Sequence, residues 1–223
     1  MTSGTSGGEQ DRLIEALARQ VPFEGWGEKA LAHAAAAEGI DPVLAADLLP
    51  GGARQQVLAF AAWADRRMTA ALTAAAPPAE GEHPGIRERI AQALKARFEV
   101  LQPHREAVRR GLAVLALPQN AAAGLGSVHR TADAVWTALG DSSTDWNWYS
   151  KRFLLAGVIS ATTLYWLEDK SEGHERTWAF LERQLERVVK IGGKLGQAVK
   201  RALSFPDRLV AKAIKMARRS YGA

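Results

Sequence analysis

The chain has 223 residues, 47% of them hydrophobic and none of them cysteine, with a formal net charge of +5. That is enough for one domain of ordinary size plus an appendage. The absence of cysteine excludes disulfides and thiolate metal sites, and no stretch reaches the 18 uninterrupted apolar residues a membrane span needs. Alanine is abundant and no run of β-branched residues alternates with period two, so the expected class is all-α.

In chain order, residues 1–10 are rich in glycine, serine and threonine and are expected to be disordered, with no apolar signal core and no arginine-rich presequence. Asp11 to Gln20 carries Leu13, Ile14 and Leu17 on one side of a short helix that Pro22 should end. Gly25-Trp26-Gly27 is a turn, and Glu28 to Glu38 is an alanine-rich helix. Asp41 is placed as an N-cap with Pro42 in the first helical position of a very short helix reaching Leu49. Pro50-Gly51-Gly52 breaks it, and Gln55 to Ala75 is a long helix with Phe60 and Trp63. Residues 11–76 thus form an N-terminal part resembling a helix-turn-helix, and the proline-rich loop 77–84 separates it from the rest. Further helices are expected from Gly85 to Leu101, Pro103 to Leu117, Pro118 to Leu139, Trp146 to Asp169 and His174 to Val189.

Helix order alone resembles TetR-type regulators, but the candidate reading helix, Pro42 to Leu49, offers no Lys, Arg, Asn or Gln and carries Asp47. Phosphate contacts supply most nucleic-acid affinity, so this surface argues against a nucleic-acid partner. Five scattered histidines share no metal-ligand spacing on one helix. The predicted helices also lack the paired Glu-x-x-His of a di-iron bundle, so neither an enzyme nor a cofactor is expected.

The most informative stretch is Asp141 to Arg152, where Trp146, Trp148 and Tyr149 fall within four residues among Asp145, Asn147, Lys151 and Arg152. If Trp146 to Asp169 is helical, Asp145 caps it, Trp148 and Arg152 share one face, and Tyr149 lies one turn from Asp145. Trp, Tyr and Arg are the residues enriched in interface hot spots, so Asp145, Trp148, Tyr149 and Arg152 form a candidate docking patch. Phe153, Leu154, Val158, Ala161, Leu164 and Tyr165 are expected to face inward. Burial of Trp148 and Tyr149 as core residues at a helix entrance accounts for the same pattern.

Gly25-Trp26, the Leu48-Leu-Pro-Gly-Gly52 turn and above all Thr144-Asp-Trp-Asn-Trp-Tyr-Ser-Lys-Arg152 are similar to the ubiquinone-biosynthesis accessory family, the ninth Coq proteins. Thr162 to Ser171 and Thr177 to Glu182 continue the resemblance in order. It implies a TetR-like helical domain with a degenerate N-terminal helix-turn-helix, assembly as a homodimer, and an enclosed isoprenoid lipid such as ubiquinone or a precursor. It also implies that the demethoxyubiquinone hydroxylase docks on the Trp148 patch to receive its substrate. Candidates for the lipid site in the helical part, residues 85–190, are Phe98, Leu112, Leu115, Trp136, Leu155, Ile159 and Trp178; a solid core explains the same pattern. The alternative function is a TetR-type transcriptional regulator sensing a hydrophobic ligand.

Charge is concentrated at the end of the chain. From Val188 onward there are nine basic residues and one acid, a net +8, which leaves −3 for residues 1–187. Within the segment 191–223, Lys212, Lys215 and Arg219 fall within about 40° of Arg208 on a helical wheel. Leu209, Ala213 and Met216 occupy the other side, with Phe205 near its edge. A basic face beside an apolar one is the pattern of an interfacial helix drawn to an anionic membrane surface. The expected location is the bacterial cytoplasm, peripheral on the inner membrane.

Overall fold

The structure, a computed structural model, describes residues 3–75, 84–141 and 146–188. Among them there is no strand; nine helices follow one another as α1 (Ser3–Glu24), α2 (Glu28–Glu38), α3 (Pro42–Leu48), α4 (Ala53–Ala74), α5 (Ile86–Leu101), α6 (Arg105–Leu115), α7 (Ala121–Ala138), α8 (Trp146–Glu168) and α9 (residues 175–188). Short 3-10 turns, Gln102–His104, Pro118–Asn120 and Glu172–His174, join α5 to α6, α6 to α7 and α8 to α9. No single helix among the described residues is long and apolar enough to cross a membrane.

Local chemistry explains the boundaries. Asp41 caps α3, its Oδ1 accepting from the backbone N–H of Val43 at 2.8 Å and of Leu44 at 3.3 Å, with Pro42 in the first turn. Gly39 ends α2 at φ +65°, where its N–H donates to the Ala36 carbonyl and that of Ile40 to the Ala35 carbonyl. That pairing closes the last turn in a conformation only glycine adopts cheaply. Two expectations are corrected in α1. It continues through Pro22 to Glu24: the proline removes a single N–H close to the helix end, and beyond it the Gly25 N–H still donates to the Val21 carbonyl at 2.8 Å. It also begins at Ser3, so residues 3–10 are helical rather than disordered; Gln10 Nε2, donating to the Leu48 carbonyl at 2.7 Å, ties this turn to α3.

The proline-rich loop does not divide two cores. Trp26, Phe60, Trp63 and His104 form one aromatic cluster across it, with Phe60 and Trp63 stacked at 5.5 Å and His104 edge-on to both. Trp26 Nε1 donates to the Ala107 carbonyl of α6 at 3.1 Å. The helix-turn-helix part is therefore fused to the larger bundle, in which α4 lies against α5 and α7, and α7 against α8.

Two arginines of α6 hold the far end of α8. Arg105 donates to the Trp166 and Asp169 carbonyls, and Arg109 to the Leu167 carbonyl at 2.8 Å. These are carbonyls that a helix C-terminus leaves without intrahelical partners, and cations are favoured there. The inward face of α8 is Arg152, Leu155, Val158, Ile159, Thr162 and Trp166. This corrects the expected orientation: Phe153 and Leu164 are exposed, and Tyr165 partly so. The rotation follows from Arg152, whose guanidinium turns inward to carboxylates on and after α7.

Candidate functional site

Five helices line a small, half-open cavity. Val57, Phe60 and Ala61 come from α4, Arg97 and Leu101 from α5, and Val108, Leu112 and Leu115 from α6. Val128 and Thr131 of α7 and Ile159 and Thr163 of α8 complete it, around a volume of about 90 Å³. Gly111 keeps the wall open: a Cβ there would sit 3.2 Å from Val57 Cγ1 and 3.4 Å from Trp26 Nε1. Sites that enclose a whole drug-sized ligand run to roughly 300–1,000 Å³, so this space admits a small group or a few carbons until the helices part.

Of the seven residues proposed from sequence for a lipid site, the structure brings Leu112, Leu115 and Ile159 to the cavity. Leu155 is buried elsewhere in the core. Phe98 packs on Trp166 at 5.2 Å and on Trp178 at 6.0 Å, while Trp178 Nε1 donates to the Gly173 carbonyl. Trp136 lies under the Lys151 ammonium at 5.1 Å. These four serve packing between helices and do not line the cavity.

Sequence reasoning missed the polar side of this space. Arg97 Nε donates to Asp65 Oδ1 at 2.7 Å, and Thr131 Oγ1 donates to Asp65 Oδ2 at 3.0 Å. The Arg97 and Asp65 side chains are only 9% and 12% exposed. The signal was present in the pattern: Arg97 falls on the stripe Ile90, Leu94, Phe98, Leu101 of α5, and Asp65 beside Ala64 and Met68 on the buried face of α4. A charge on an apolar stripe is a buried charge, and a buried charge needs a partner.

The docking patch is partly outside view and partly redrawn. Asp145 and the side chain of Trp148 lie outside the described residues. Tyr149 is 61% exposed and Phe153 joins it, 76% exposed, one turn further along the same outer face. Arg152 does not belong to that face. It is 2% exposed, with Nε donating to Asp133 Oδ1 at 2.6 Å and Nη1 to Asp141 Oδ2 at 3.2 Å. Lys151 binds the same Asp141 at 3.1 Å, so the two cations clamp the end of α7 and the start of the following loop onto α8. The membrane-binding residues expected in the tail, from Phe205 to Arg219, all lie outside the described residues.

Residues 121–192, which include this clamp and the aromatic stretch, match the COQ9 family model. The mitochondrial ubiquinone biosynthesis protein COQ9 of Rattus norvegicus is 30% identical over 186 residues, 82% of this chain and 59% of that protein. The Homo sapiens protein of that name is likewise 30% identical over 82% of this chain and 58% of its own length, and the Drosophila melanogaster one 29% identical over 83% and 57%. The chain belongs to the COQ9 family. It spans somewhat under three-fifths of the length of these three relatives. Among solved structures, the TetR transcriptional regulator from Nitrosomonas europaea superposes with a TM-score of 0.62 at 18% identity, covering 82% of this chain and 98% of that one. At that identity the likeness concerns the fold, and it bears out the all-α, TetR-like architecture.

One expectation is overturned here. A bacterial cytoplasm with attachment to the inner membrane does not agree with these COQ9 relatives, which are named mitochondrial and come from eukaryotes.

Proposed function

We propose that this COQ9-family protein is a non-catalytic accessory factor of ubiquinone biosynthesis that binds a polyprenylated quinone precursor and delivers it to the demethoxyubiquinone hydroxylase. The observation that carries this reading is the mostly apolar cavity lined by α4 to α8, together with the relatives' names. The outer face of α8 from Tyr149 to Phe153, with Trp148 beside it in sequence, serves as the hydroxylase contact. Leu164 and the Tyr165–Phe180 stack, rings 4.5 Å apart, join α8 to α9 in one apolar face that supports pairing with a second copy of the chain. The basic amphipathic segment from Phe205 to Arg219 anchors the protein to anionic membrane.

The regulator reading is disfavoured by the surface of α3, which exposes Pro42, Val43, Leu44, Ala46 and Asp47 and no cation. The nearest cation on α2, Lys29, is engaged with Glu24 at 3.4 Å. Such a face repels a phosphate backbone.

Mass spectrometry of organic extracts from protein purified out of a ubiquinone-making host tests the lipid claim. Wild type should carry a polyprenyl quinone or phenol near one per chain, and Ala61→Phe, which fills the cavity, should lose most of it. Equal lipid in both, or none in wild type, contradicts the reading. Deleting residues 204–223 should release the protein from anionic liposomes; continued flotation rejects the tail as anchor.

A further inference from the structure

The cavity is not uniformly apolar: Arg97, Ser127, Thr131 and Thr163 interrupt a lining otherwise made of carbon. Of these, Arg97 has donors to spare. A guanidinium carries five N–H groups, and the Asp65 bond uses only the one on Nε. The terminal nitrogens of Arg97 have no protein acceptor among the described residues, although the side chain is nine-tenths buried. Asp65 is in the opposite state. Both of its oxygens already accept a bond, one from Arg97 and one from Thr131. The pair fixes Arg97 in place across α4, α5 and α7 and balances its charge, while leaving its terminal N–H groups without a protein partner among the described residues.

We propose that Arg97, positioned by Asp65 and Thr131, is the head-group receptor of the cavity, donating to the oxygen of an uncharged amphiphile such as a quinone carbonyl or an aryl ether. A neutral acceptor suits the site better than a carboxylate or phosphate, because the Asp65 charge already balances Arg97 and a second buried anion would stand uncompensated. The volume of about 90 Å³ excludes a long chain and admits a ring only once the helices part. The ligand therefore enters head first, with its tail leaving past the aliphatic wall of α6, Val108, Leu112 and Leu115. Delivery then requires release of the head, and α8 is placed to couple the two events: Ile159 and Thr163 line the cavity, and Tyr149 and Phe153 lie on the outer face of the same helix.

This inference rests on the lipid-carrier reading, and the test separates the two. A polyprenyl quinone, a hydrocarbon of the same chain length and a fatty acid of the same length are offered in detergent micelles, and bound lipid is measured by native mass spectrometry. Wild type should prefer the quinone over the hydrocarbon by roughly ten- to a hundred-fold, the effect of a hydrogen bond to a charged group. In the paired variant Asp65→Leu with Arg97→Met, which exchanges a buried ion pair for apolar side chains and so keeps the fold, hydrocarbon binding should persist and the preference fall to about one. Arg97→Lys, which keeps the charge but not the fork, should lose most of the preference as well. A quinone preference unchanged in the folded paired variant overturns the assignment, and a wild-type preference for the fatty acid overturns the neutral-acceptor class. Binding of no lipid by wild type overturns the carrier reading itself.

Discussion

Replacing Arg152 by alanine distinguishes a structural clamp from a docking contact. Its Nε and Nη1 reach two different carboxylates, Asp133 and Asp141, from a side chain only 2% exposed. Removing one partner of a buried ion pair costs about 3–5 kcal/mol, mostly because the remaining charge is left uncompensated. Here the lower end applies: Asp133 is 44% exposed and regains water, and Asp141 keeps Lys151 at 3.1 Å. About 3 kcal/mol in a domain of this size corresponds to a fall in Tm of roughly 6–12 °C. Arg152→Lys should recover less than half of it, since an ammonium cannot span both carboxylates with the guanidinium's planar geometry. Thermal unfolding followed by circular dichroism measures this directly. A Tm within about 2 °C of wild type, with hydroxylase binding lost, would refute the clamp and return Arg152 to the interface.

The remaining predictions concern the groups that fasten the bundle. Asp169 accepts from the N–H and hydroxyl of Ser171 and from those of Thr177. Burial is the largest single influence and opposes ionisation, but the hydrogen bonds together outweigh it and hold the carboxyl well below its ordinary value of 3.8. Its stabilising contribution is present above that value and is lost as pH falls below it, so Asp169→Asn should cost about 1–2 kcal/mol at pH 7 and flatten the acid limb of a stability–pH curve. Burial pushes His104 below its ordinary 6.5, where it packs edge-on to Phe60 and Trp63. The folded state then binds fewer protons than the unfolded one, so the urea midpoint should fall as pH drops below 6.5, and less steeply in His104→Phe. Trp26→Phe keeps the aromatic packing but removes the indole bond to the Ala107 carbonyl; a loss of about 0.5–1.5 kcal/mol in urea unfolding is expected.

The helices were legible because their ends are written in local chemistry. Asp41 with Pro42 starts α3, Gly39 ends α2, and α2 runs over the residues its alanines occupy. Pro22 misled because a proline's effect depends on how much helix follows it, and the stop signal was Gly25, at φ +75°. The orientation of α8 was not legible. Aromatic weight on Phe153 and Tyr165 suggested the buried side, yet that side is chosen by Arg152, whose partners lie 11 and 19 residues earlier in the chain. The cavity was half legible: an apolar residue such as Leu112 announces burial but not whether it meets a neighbour or a void. Its polar end joins Asp65, Arg97 and Thr131 across separations of 32 and 66 residues, which no periodicity within one helix records.

The claim at the centre is delivery of a membrane-embedded lipid to a docked hydroxylase. The most direct measurement is the rate at which the demethoxyubiquinone hydroxylase turns over a long-chain substrate held in anionic vesicles, with and without this protein, beside a short-chain substrate free in solution. The protein should accelerate the vesicle reaction and leave the soluble one unchanged. Acceleration of both alike, or of neither, would contradict delivery as its function.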